Sequence, residues 1–374
     1  MLVLVFWALV ALLFGCIWGY PIALLIMARF AAAPVRKRGT APNAISIVIA
    51  CYNEQTNLPL RLDYFLNDLR TDIQREFILV SDGSTDRTNA IMREYAARFP
   101  DLFRIIIQPE RCGKPSALNL AVPLAKHEIV VLSDARQHIV KGSVEALLAQ
   151  FADPTVGGAT SIMENNNAKT GEKSFMRSYI NLMRDLESRI GSTVNAQGPL
   201  YAIRKNLFKP LPNDVILDDF YIPLCVQNAG FRLVAPPEAV ILDMDMHTFY
   251  RQYRAERIFI GLIQIIRQYK DMVDKLSRKE RFMLYAHKIW RFAVPILLFF
   301  IFVSNISVLW QNFYGIPLYK ISFFAQILLY ALGAWGIYTE KNNPITTFLT
   351  INFALIRSLY IGYTTESFSV LWQK

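Results

Sequence analysis

Residues 45–54 read ISIVIACYNE and residues 77–86 read FILVSDGSTD, and these two stretches decide the fold. Each begins as an apolar, β-branched run that is typical of a strand and then changes abruptly to polar residues. Two further runs, at 104–107 and 129–133, follow along the chain, and helix-like segments separate the four. Near-continuous apolar strands that alternate with helices predict an α/β fold with a mainly parallel sheet, covered by helices on both faces.

Polar residues follow each of these four strands. The segments are CYNE at 51–54, DGSTD at 82–86, CGKPSALN at 112–119 and DAR at 134–136. Right-handed crossovers bring the carboxyl ends of parallel strands to one edge, where open α/β sheets bind ligands. A turn or a helix cap would explain any one segment alone. Four segments at the same edge predict a ligand site.

Two nucleotide-binding classes and a disulfide scaffold are excluded. No GxGxxG follows the first strand, which argues against a dinucleotide-binding oxidoreductase. Gln108 stands where a P-loop ending at Lys114 needs its first glycine, which argues against an NTPase. The four cysteines form no CxxC pair and fit a reduced cytosolic domain.

The composition predicts membrane spans attached to a soluble domain. Hydrophobic residues make up 53% of the 374 residues, charged residues 19%, and the mean hydropathy is +0.26. Residues 2–28 carry no charge and are followed by basic residues, which predicts one span with the middle of the chain in the cytoplasm. Three further spans are expected after residue 286. The last contains Arg357, which we expect either to face the helix bundle or to snorkel to an interface.

Two amphipathic segments, 175–190 and 258–273, carry basic residues beside their apolar stripes. The first is expected to pack into the soluble core and the second to lie on the membrane surface. We therefore attribute the net charge of +10 to membrane lipids and an anionic substrate, and expect no nucleic-acid partner. The expected plan is a transmembrane helix at 1–29, a basic linker at 30–42, a cytosolic domain at 43–247, interface helices at 248–285 and a membrane region of about three helices at 286–374.

The ordered motifs between residues 43 and 261 resemble the family 2 glycosyltransferases, which have a GT-A nucleotide-sugar-binding fold. The flanking spans are similar to those of the membrane-bound synthases of hyaluronan, chitin, cellulose and poly-N-acetylglucosamine. The resemblance implies roles for the nucleotide-sugar side of the site. Tyr52 and Glu54 would hold the base and ribose. Asp82 lies in the second acidic motif, in which Ser81 replaces the first aspartate. Lys114 and Asn119 would lie near the diphosphate.

The metal motif departs from the family pattern. Asp134 matches the first residue of the Asp-x-Asp motif, but Arg136 replaces the second aspartate. The resemblance implies Mg²⁺ or Mn²⁺ on Asp134, since such ions take one or two carboxylates together with phosphate and water. Arg136 is the alternative means of stabilising phosphate charge.

The resemblance also implies acceptor-side residues. Gly198 and Tyr201 belong to a glycine-led acceptor segment, QGPLYAIR at 197–204. In LDDF at 217–220, Asp219 would be the general base with Asp218 beside it, and the alternative is two solvated loop aspartates. Arg257 matches the arginine of the family's Gln-x-x-Arg-Trp motif, near the acceptor and diphosphate, whereas Arg254 replaces the glutamine and Ile258 the tryptophan. The alternative is a basic helix that faces lipid.

The expected function is an inverting transfer from a nucleotide diphosphate sugar, expected to be a UDP-sugar, to a growing polysaccharide, with export as an added expectation. The alternatives are a single transfer to a lipid acceptor, such as a polyprenyl phosphate or a glycolipid, and a non-catalytic membrane scaffold. The expected location is a bacterial inner membrane, with the catalytic domain in the cytoplasm.

Overall fold

The structure is a computed structural model, and it describes residues 1–36, 39–165, 175–243, 248–311, 317–339, 343–365 and 368. The chain forms two compact units. The α/β unit contains Leu24–Asp245 and Tyr269–Glu280, and the helical unit contains Met1–Ala23, Met246–Gln268 and Arg281–Glu366.

The α/β unit is built on a seven-stranded sheet with the order β3-β2-β1-β4-β8-β6-β9. A smaller sheet has the order β5-β10-β7. The strands are β1 (Ala44–Cys51), β2 (Gln74–Asp82), β3 (Phe103–Gln108), β4 (Ile129–Ser133), β5 (His138–Ile139), β6 (Val156–Thr160), β7 (Ile162–Asn165), β8 (Leu200–Arg204), β9 (Arg232–Val234) and β10 (Val240–Asp243). The four strands expected from the sequence are β1 to β4, and they are mutually parallel as predicted.

The helices follow the expected alternation. Those in or entering the α/β unit are α2 (Tyr20–Phe30), α3 (Asn57–Asp63), α4 (Thr88–Arg98), α5 (Lys114–Ala121), α6 (Ser143–Leu148), α7 (Phe175–Ile190), α8 (Asp218–Asn228) and α10 (Lys270–Lys275). Alternate strand residues bury on opposite faces of the sheet, Ile47 and Ile49 on one and Val48 and Val80 on the other. Both faces are therefore covered, which explains why these strands read as unbroken apolar runs.

Strand β8 is antiparallel to β4, a feature that the strand-helix alternation did not predict. Its first residue, Leu200, pairs with Ser133 at the end of β4. An antiparallel strand begins at the edge where its neighbour ends. The segment that leads into β8 therefore reaches the edge that carries the polar ends of β1 to β4.

The helical unit contains α1 (Leu2–Phe14), α9 (Thr248–Gln268), α12 (Ala293–Gln311), α13 (Pro317–Tyr338) and α14 (Pro344–Thr364), while α11 (Arg278–Leu284) begins in the α/β unit and leads into α12. Among the residues that the structure describes, four helical stretches are long and apolar enough to cross a membrane, namely Leu2–Phe30, Arg278–Gln311, Pro317–Tyr338 and Pro344–Thr364. This matches the number expected from the sequence. Phe6 on α1 packs edge-to-face on Tyr319 of α13, and the Trp7 indole donates a 3.2 Å hydrogen bond to the Tyr319 hydroxyl.

Candidate active site

The loops after β1 and β2 are locked together. Asn53 has a φ of 54°, and its Oδ1 accepts a 2.8 Å hydrogen bond from the Thr85 amide. The Asn53 amide donates to Ser84 Oγ at 3.1 Å, and the Glu54 amide donates to Thr88 Oγ1 at 2.8 Å. Asparagine tolerates this left-handed conformation better than most residues. The interlock fixes the main chain that presents the side chains on either side of Asn53.

Tyr52 and Arg111 form a stacked pair at this edge. The guanidinium of Arg111 lies 4.2 Å from the centre of the Tyr52 ring, within the range of a cation–π interaction. Tyr52 is half-buried and Arg111 is exposed. The expected base-binding residue is therefore partly covered by a cation from the loop after β3.

Asp82 fixes the loop that leads to Lys114. Its carboxylate is buried and accepts hydrogen bonds from the amides of Cys112, at 2.6 Å, and Gly113, at 2.9 Å. Gly83 has a φ of +68°, and a Cβ there would lie 2.6 Å from the Arg111 nitrogen, so only glycine fits this close approach. These hydrogen bonds to the Asp82 carboxylate hold the start of α5 in place.

Lys114 lies between two carboxylates. Its Nζ is 2.9 Å from Oδ1 of Asp134 and 3.0 Å from Oδ2 of Asp218. Burial alone lowers the pKa of Lys114, but Asp134 and Asp218 outweigh burial and raise this pKa above its usual value. The side chain therefore remains an ammonium ion at the centre of the site.

Arg136 pairs with Glu54 at the same edge. The Nε of Arg136 lies 2.5 Å from Oε1 of Glu54, while the other oxygen of Glu54 accepts a 2.8 Å hydrogen bond from Asn57. The Glu54 side chain is only 9% exposed, whereas the Arg136 side chain is 48% exposed, so the carboxylate is largely removed from solvent and its cation is not. The residue in place of the second metal-motif aspartate therefore binds a carboxylate in this structure.

Arg61 supports the loop after β4 through a contact with its main chain. It lies on α3, is 3% exposed, and donates from Nη2 to the carbonyl of Gln137. Burial lowers the pKa of Arg61 to about 10, and the nearby Asp134 charge acts in the opposite direction. Sequence reasoning missed Arg61 because an arginine inside a short helix belongs to no motif.

The segment before β8 joins the loop after β4 to the start of α8. The Asp134 amide donates to the Pro199 carbonyl at 3.0 Å, and the Ala196 amide donates to the Asp219 carbonyl at 2.9 Å. A Cβ on Gly198 would lie 3.0 Å from Oδ2 of Asp219. The structure thus brings Gly198, Asp134 and Asp219 together.

Tyr201 is buried beneath these aspartates. It is 0% exposed, and its hydroxyl has no hydrogen-bond partner among the described residues. Burial raises the pKa of Tyr201 well above its usual value, and the charges of Asp218 and Asp219 raise it further. A buried hydroxyl without a partner is costly, so a polar group in the site would gain by pairing with it.

Arg184 is a second residue that the motifs did not identify. It lies on α7, is 6% exposed, and donates from Nη1 to the Asn195 carbonyl at 3.0 Å. Burial lowers the pKa of Arg184, while Glu187 and Asp219 act in the opposite direction. Helix α7 belongs to the α/β unit, which is consistent with the expectation that segment 175–190 packs into the soluble core.

Three predicted site residues have other positions or partners. Both ends of the Asn119 side-chain amide bond the main chain of Leu211 at 2.8 Å, so Asn119 fixes the segment that leads to α8. Arg254 and Arg257 lie on α9 in the helical unit, half-buried and exposed respectively. The assignments of these three residues to donor or acceptor binding stay predictions.

Comparisons with known proteins agree with this fold. Residues 46–211 match the model of glycosyl transferase family 2. The dolichyl-phosphate beta-glucosyltransferase ALG5A of Trichomonas vaginalis is 33% identical over 97 residues, which cover 24% of this chain and 30% of that protein. The probable glycosyltransferase YdaM of Bacillus subtilis is 22% identical over 340 residues, which cover 86% of this chain and 79% of that protein.

Among solved structures, the chain is similar to the mannosyltransferase PcManGT of Pyrobaculum calidifontis in complex with GDP-Man and Mn²⁺. The TM-score is 0.78 with 24% identity, and the match covers 98% of this chain and 100% of the other. The chain has the GT-A fold of a glycosyltransferase. Residues 46–211 of the α/β unit, less than half of the 374 residues, carry the match to glycosyl transferase family 2.

Proposed function

We propose that this protein is a membrane-bound, inverting glycosyltransferase that moves a sugar from a nucleotide diphosphate sugar to an acceptor hydroxyl at the membrane. The observation that carries the proposal is the Lys114 ammonium, held between Asp134 and Asp218 beside the Asp219 loop. A fixed cation next to carboxylates is the arrangement needed to bind a diphosphate and to accept a proton close by.

Lys114 and Arg136 are the cations proposed for the diphosphate. Each is already within 3.0 Å of a carboxylate, so a bound diphosphate would share or take over these contacts. Tyr52 and Asp82 form the nucleoside end in this proposal. The family resemblance favours a UDP-sugar, whereas the related mannosyltransferase structure was solved with GDP-Man, so the first test includes both nucleotides.

The site fits a divalent cation only if the donor supplies part of its ligands. The described residues contain no group of three His, Cys, Asp or Glu side chains that could hold a metal ion. Asp134 is one-third exposed, and Oδ2 of Asp218 is buried and lies 3.0 Å from the Lys114 ammonium. Carboxylate oxygens completed by phosphate oxygens and water suit Mg²⁺ or Mn²⁺. The bound ion would neutralise charge on the leaving diphosphate.

Asp219 is the proposed general base. It takes the proton from the acceptor hydroxyl while the oxygen attacks the anomeric carbon, and the diphosphate leaves from the opposite face. Asp218 has a different role in this proposal, since it holds Lys114 in position. Gly198 keeps the space beside the Asp219 carboxylate free of a side chain.

The proposed acceptor is the end of a growing polysaccharide. A general base at Asp219 favours a hydroxyl nucleophile over a polyprenyl phosphate, because a phosphate nucleophile needs no base. The second candidate is a single transfer to a lipid acceptor. Ile258 favours it, because it stands where polymer synthases place an aromatic side chain, and so does the named activity of the Trichomonas relative. Export of a polymer through the helical unit remains a prediction.

The test is mass spectrometry of products made by the purified full-length protein. The protein is supplied with UDP- and GDP-linked sugars, a lipid extract and oligosaccharide acceptors. Products extended by several sugars support the polysaccharide proposal, and a one-sugar shift of a lipid supports the second candidate. Absence of transfer from every donor, with Mn²⁺ or Mg²⁺ present, would contradict the proposed activity.

A further inference from the structure

Helix α9 begins and ends at the α/β unit. It follows β10, which ends at Asp243, and it precedes Tyr269, whose hydroxyl donates a 3.3 Å hydrogen bond to Asp214. Asp243, Tyr269 and Asp214 all belong to the α/β unit. A single helix whose two ends return to one domain cannot cross a membrane, because both ends then lie on the same side. Covalent connectivity therefore keeps α9 on the side of the α/β unit.

Helix α14 packs along α9. Arg357 of α14 forms a 3.2 Å ion pair with Glu256 of α9, and Ser358 Oγ donates to the Glu256 carbonyl at 3.3 Å. Near its carboxyl end, Gly362 lies so close to Ile263 that a Cβ would be 2.8 Å from Cδ1. Glycine at this position lets the two helices approach closely.

The carboxyl end of α14 is therefore on the same side of the membrane as the two ends of α9. Arg267 donates a hydrogen bond to the carbonyl of Gly362, and Arg267 lies two residues before Tyr269. Two residues span at most about 7 Å of chain. Gly362 consequently lies close to the carboxyl end of α9.

The same side is also where the C-terminal helices start. Lys279 in α11 donates from Nζ to the Ile190 carbonyl at 2.6 Å, and both residues belong to the α/β unit. Between Lys279 and Gly362 the chain runs through three of the four candidate spans. A chain that starts and ends on one side crosses an even number of times, so at most two of these three helices cross.

We infer that α14 is the helix that does not cross, and that it lies with α9 along the membrane surface, in contact with lipid headgroups. Of the four candidate spans, α14 is the least apolar, and it contains the ion pair of Arg357. A charged side chain at the centre of a bilayer is costly, whereas arginine is favourable at the interface.

The two faces of α14 suit this position. Its buried face, toward the protein, carries Ala354, Leu355, Ser358 and Gly362. Its exposed face carries Phe353, Ile356, Tyr360 and Tyr363, which are 52–72% exposed and follow helical spacing. Aromatic side chains with an adjacent arginine are typical of helices that lie in the headgroup region. The partner of this face is the lipid surface, and the inference does not depend on the chemistry of the active site.

Cysteine labelling of the full-length protein tests the side on which α14 ends. The background carries Cys16→Ala and Cys112→Ser, since Cys51 and Cys225 are buried. Single cysteines then replace three exposed residues: Glu94 in the α/β unit, Gln311 at the end of α12 and Thr364 at the end of α14. Intact and permeabilised cells are treated with a membrane-impermeant maleimide.

In intact cells, Thr364→Cys should give the same labelling result as Glu94→Cys. Gln311→Cys should give the opposite result. Labelling of Thr364→Cys together with Gln311→Cys would overturn the inference, because α14 would then cross. The same pattern at all three positions would also overturn it, because α12 would then not cross.

Depth measurement with a nitroxide gives an independent test. Spin labels are attached at Phe353→Cys in α14 and, as the matched control, at Val303→Cys in the middle of α12, both exposed positions. The label at 353 should lie within about 5–10 Å of the headgroup boundary, and the label at 303 near the bilayer centre. Equal depths at the bilayer centre would contradict an interfacial α14.

Discussion

Arg136 and Glu54, which are 82 residues apart in sequence, form an ion pair with 2.5 Å between Nε and Oε1. The pair joins the loop after β4 to the loop after β1. It also explains how the site accommodates an arginine where family 2 enzymes have a second metal-motif aspartate. The cation satisfies a glutamate that is almost removed from solvent, and leaving that carboxylate unpaired would be costly.

Restoring the family's aspartate should therefore harm the enzyme. In an Arg136→Asp variant, a second carboxylate would face Glu54 without a cation, so we expect loss of most transfer activity. The free energy of unfolding should fall by about 1–3 kcal/mol, the usual cost of leaving a buried polar group without its partner. Rates at increasing Mn²⁺ and thermal unfolding in detergent measure the two effects. Higher activity or tighter Mn²⁺ dependence in this variant would show that Glu54 does not need Arg136.

Replacing Lys114 should weaken both donor binding and the fold. Lys114→Gln leaves Asp134 and Asp218 close together without their shared ammonium group. The pKa of Lys114 is raised above its usual value of 10.5, so its stabilising contribution is fully present below that pH and is lost only above it.

The loss of stability in Lys114→Gln should therefore be the same at pH 7 and pH 9, as measured by thermal unfolding. Lys209→Gln, at an exposed position of the α/β unit, is the matched control and should change neither donor affinity nor stability. A stability difference that disappears between pH 7 and pH 9 would mean that Lys114 loses its proton within that range.

Gly198 is expected to tolerate no side chain, because it lies against Asp219, the proposed general base. A methyl group at 198 would lie 3.0 Å from Oδ2 of Asp219 and would displace this carboxylate. Gly198→Ala should lower kcat while donor binding stays close to wild type. Gly19→Ala, where no atom lies within 4 Å of the added methyl group, should leave kcat unchanged. Equal kcat values for both variants and the wild type would indicate that Asp219 takes no part in the chemical step.

Metal dependence should follow Asp134. Chelation should lower transfer activity, and Mg²⁺ or Mn²⁺ should restore it. Asp134→Asn should weaken the restoration, because one of the few carboxylate ligands is lost. Calorimetric titration of Mn²⁺ in the presence of a nucleoside diphosphate measures the same site without turnover. Full activity in excess chelator would indicate that Lys114 and Arg136 handle the diphosphate charge alone.

The strands and the motif positions could be predicted because they depend on local patterns. The β-branched run 45–50 and the polar residues after it report directly on a buried parallel strand and its exposed end. Helix α7 was also predictable, since its apolar residues recur at helical spacing.

The supporting contacts could not be predicted, because their partners are distant in sequence and follow no motif. Nothing in the residues around Arg61 indicates the Gln137 carbonyl, and nothing around Asn119 indicates Leu211. The reversed direction of β8 was equally hidden, since five mostly apolar residues fit either orientation. Hydropathy likewise reports that α14 is apolar but not that α9 runs beside it.

The most direct test of the proposed chemistry compares Asp219→Asn with Asp218→Asn in the purified protein. If Asp219 is the general base, Asp219→Asn should keep the dissociation constant for the donor and lower kcat by about 10²–10⁴-fold. Asp218→Asn removes a partner of Lys114 and should instead weaken donor binding. Normal turnover by Asp219→Asn, with a deep loss of kcat in Asp218→Asn at saturating donor, would contradict the account and assign the base to Asp218.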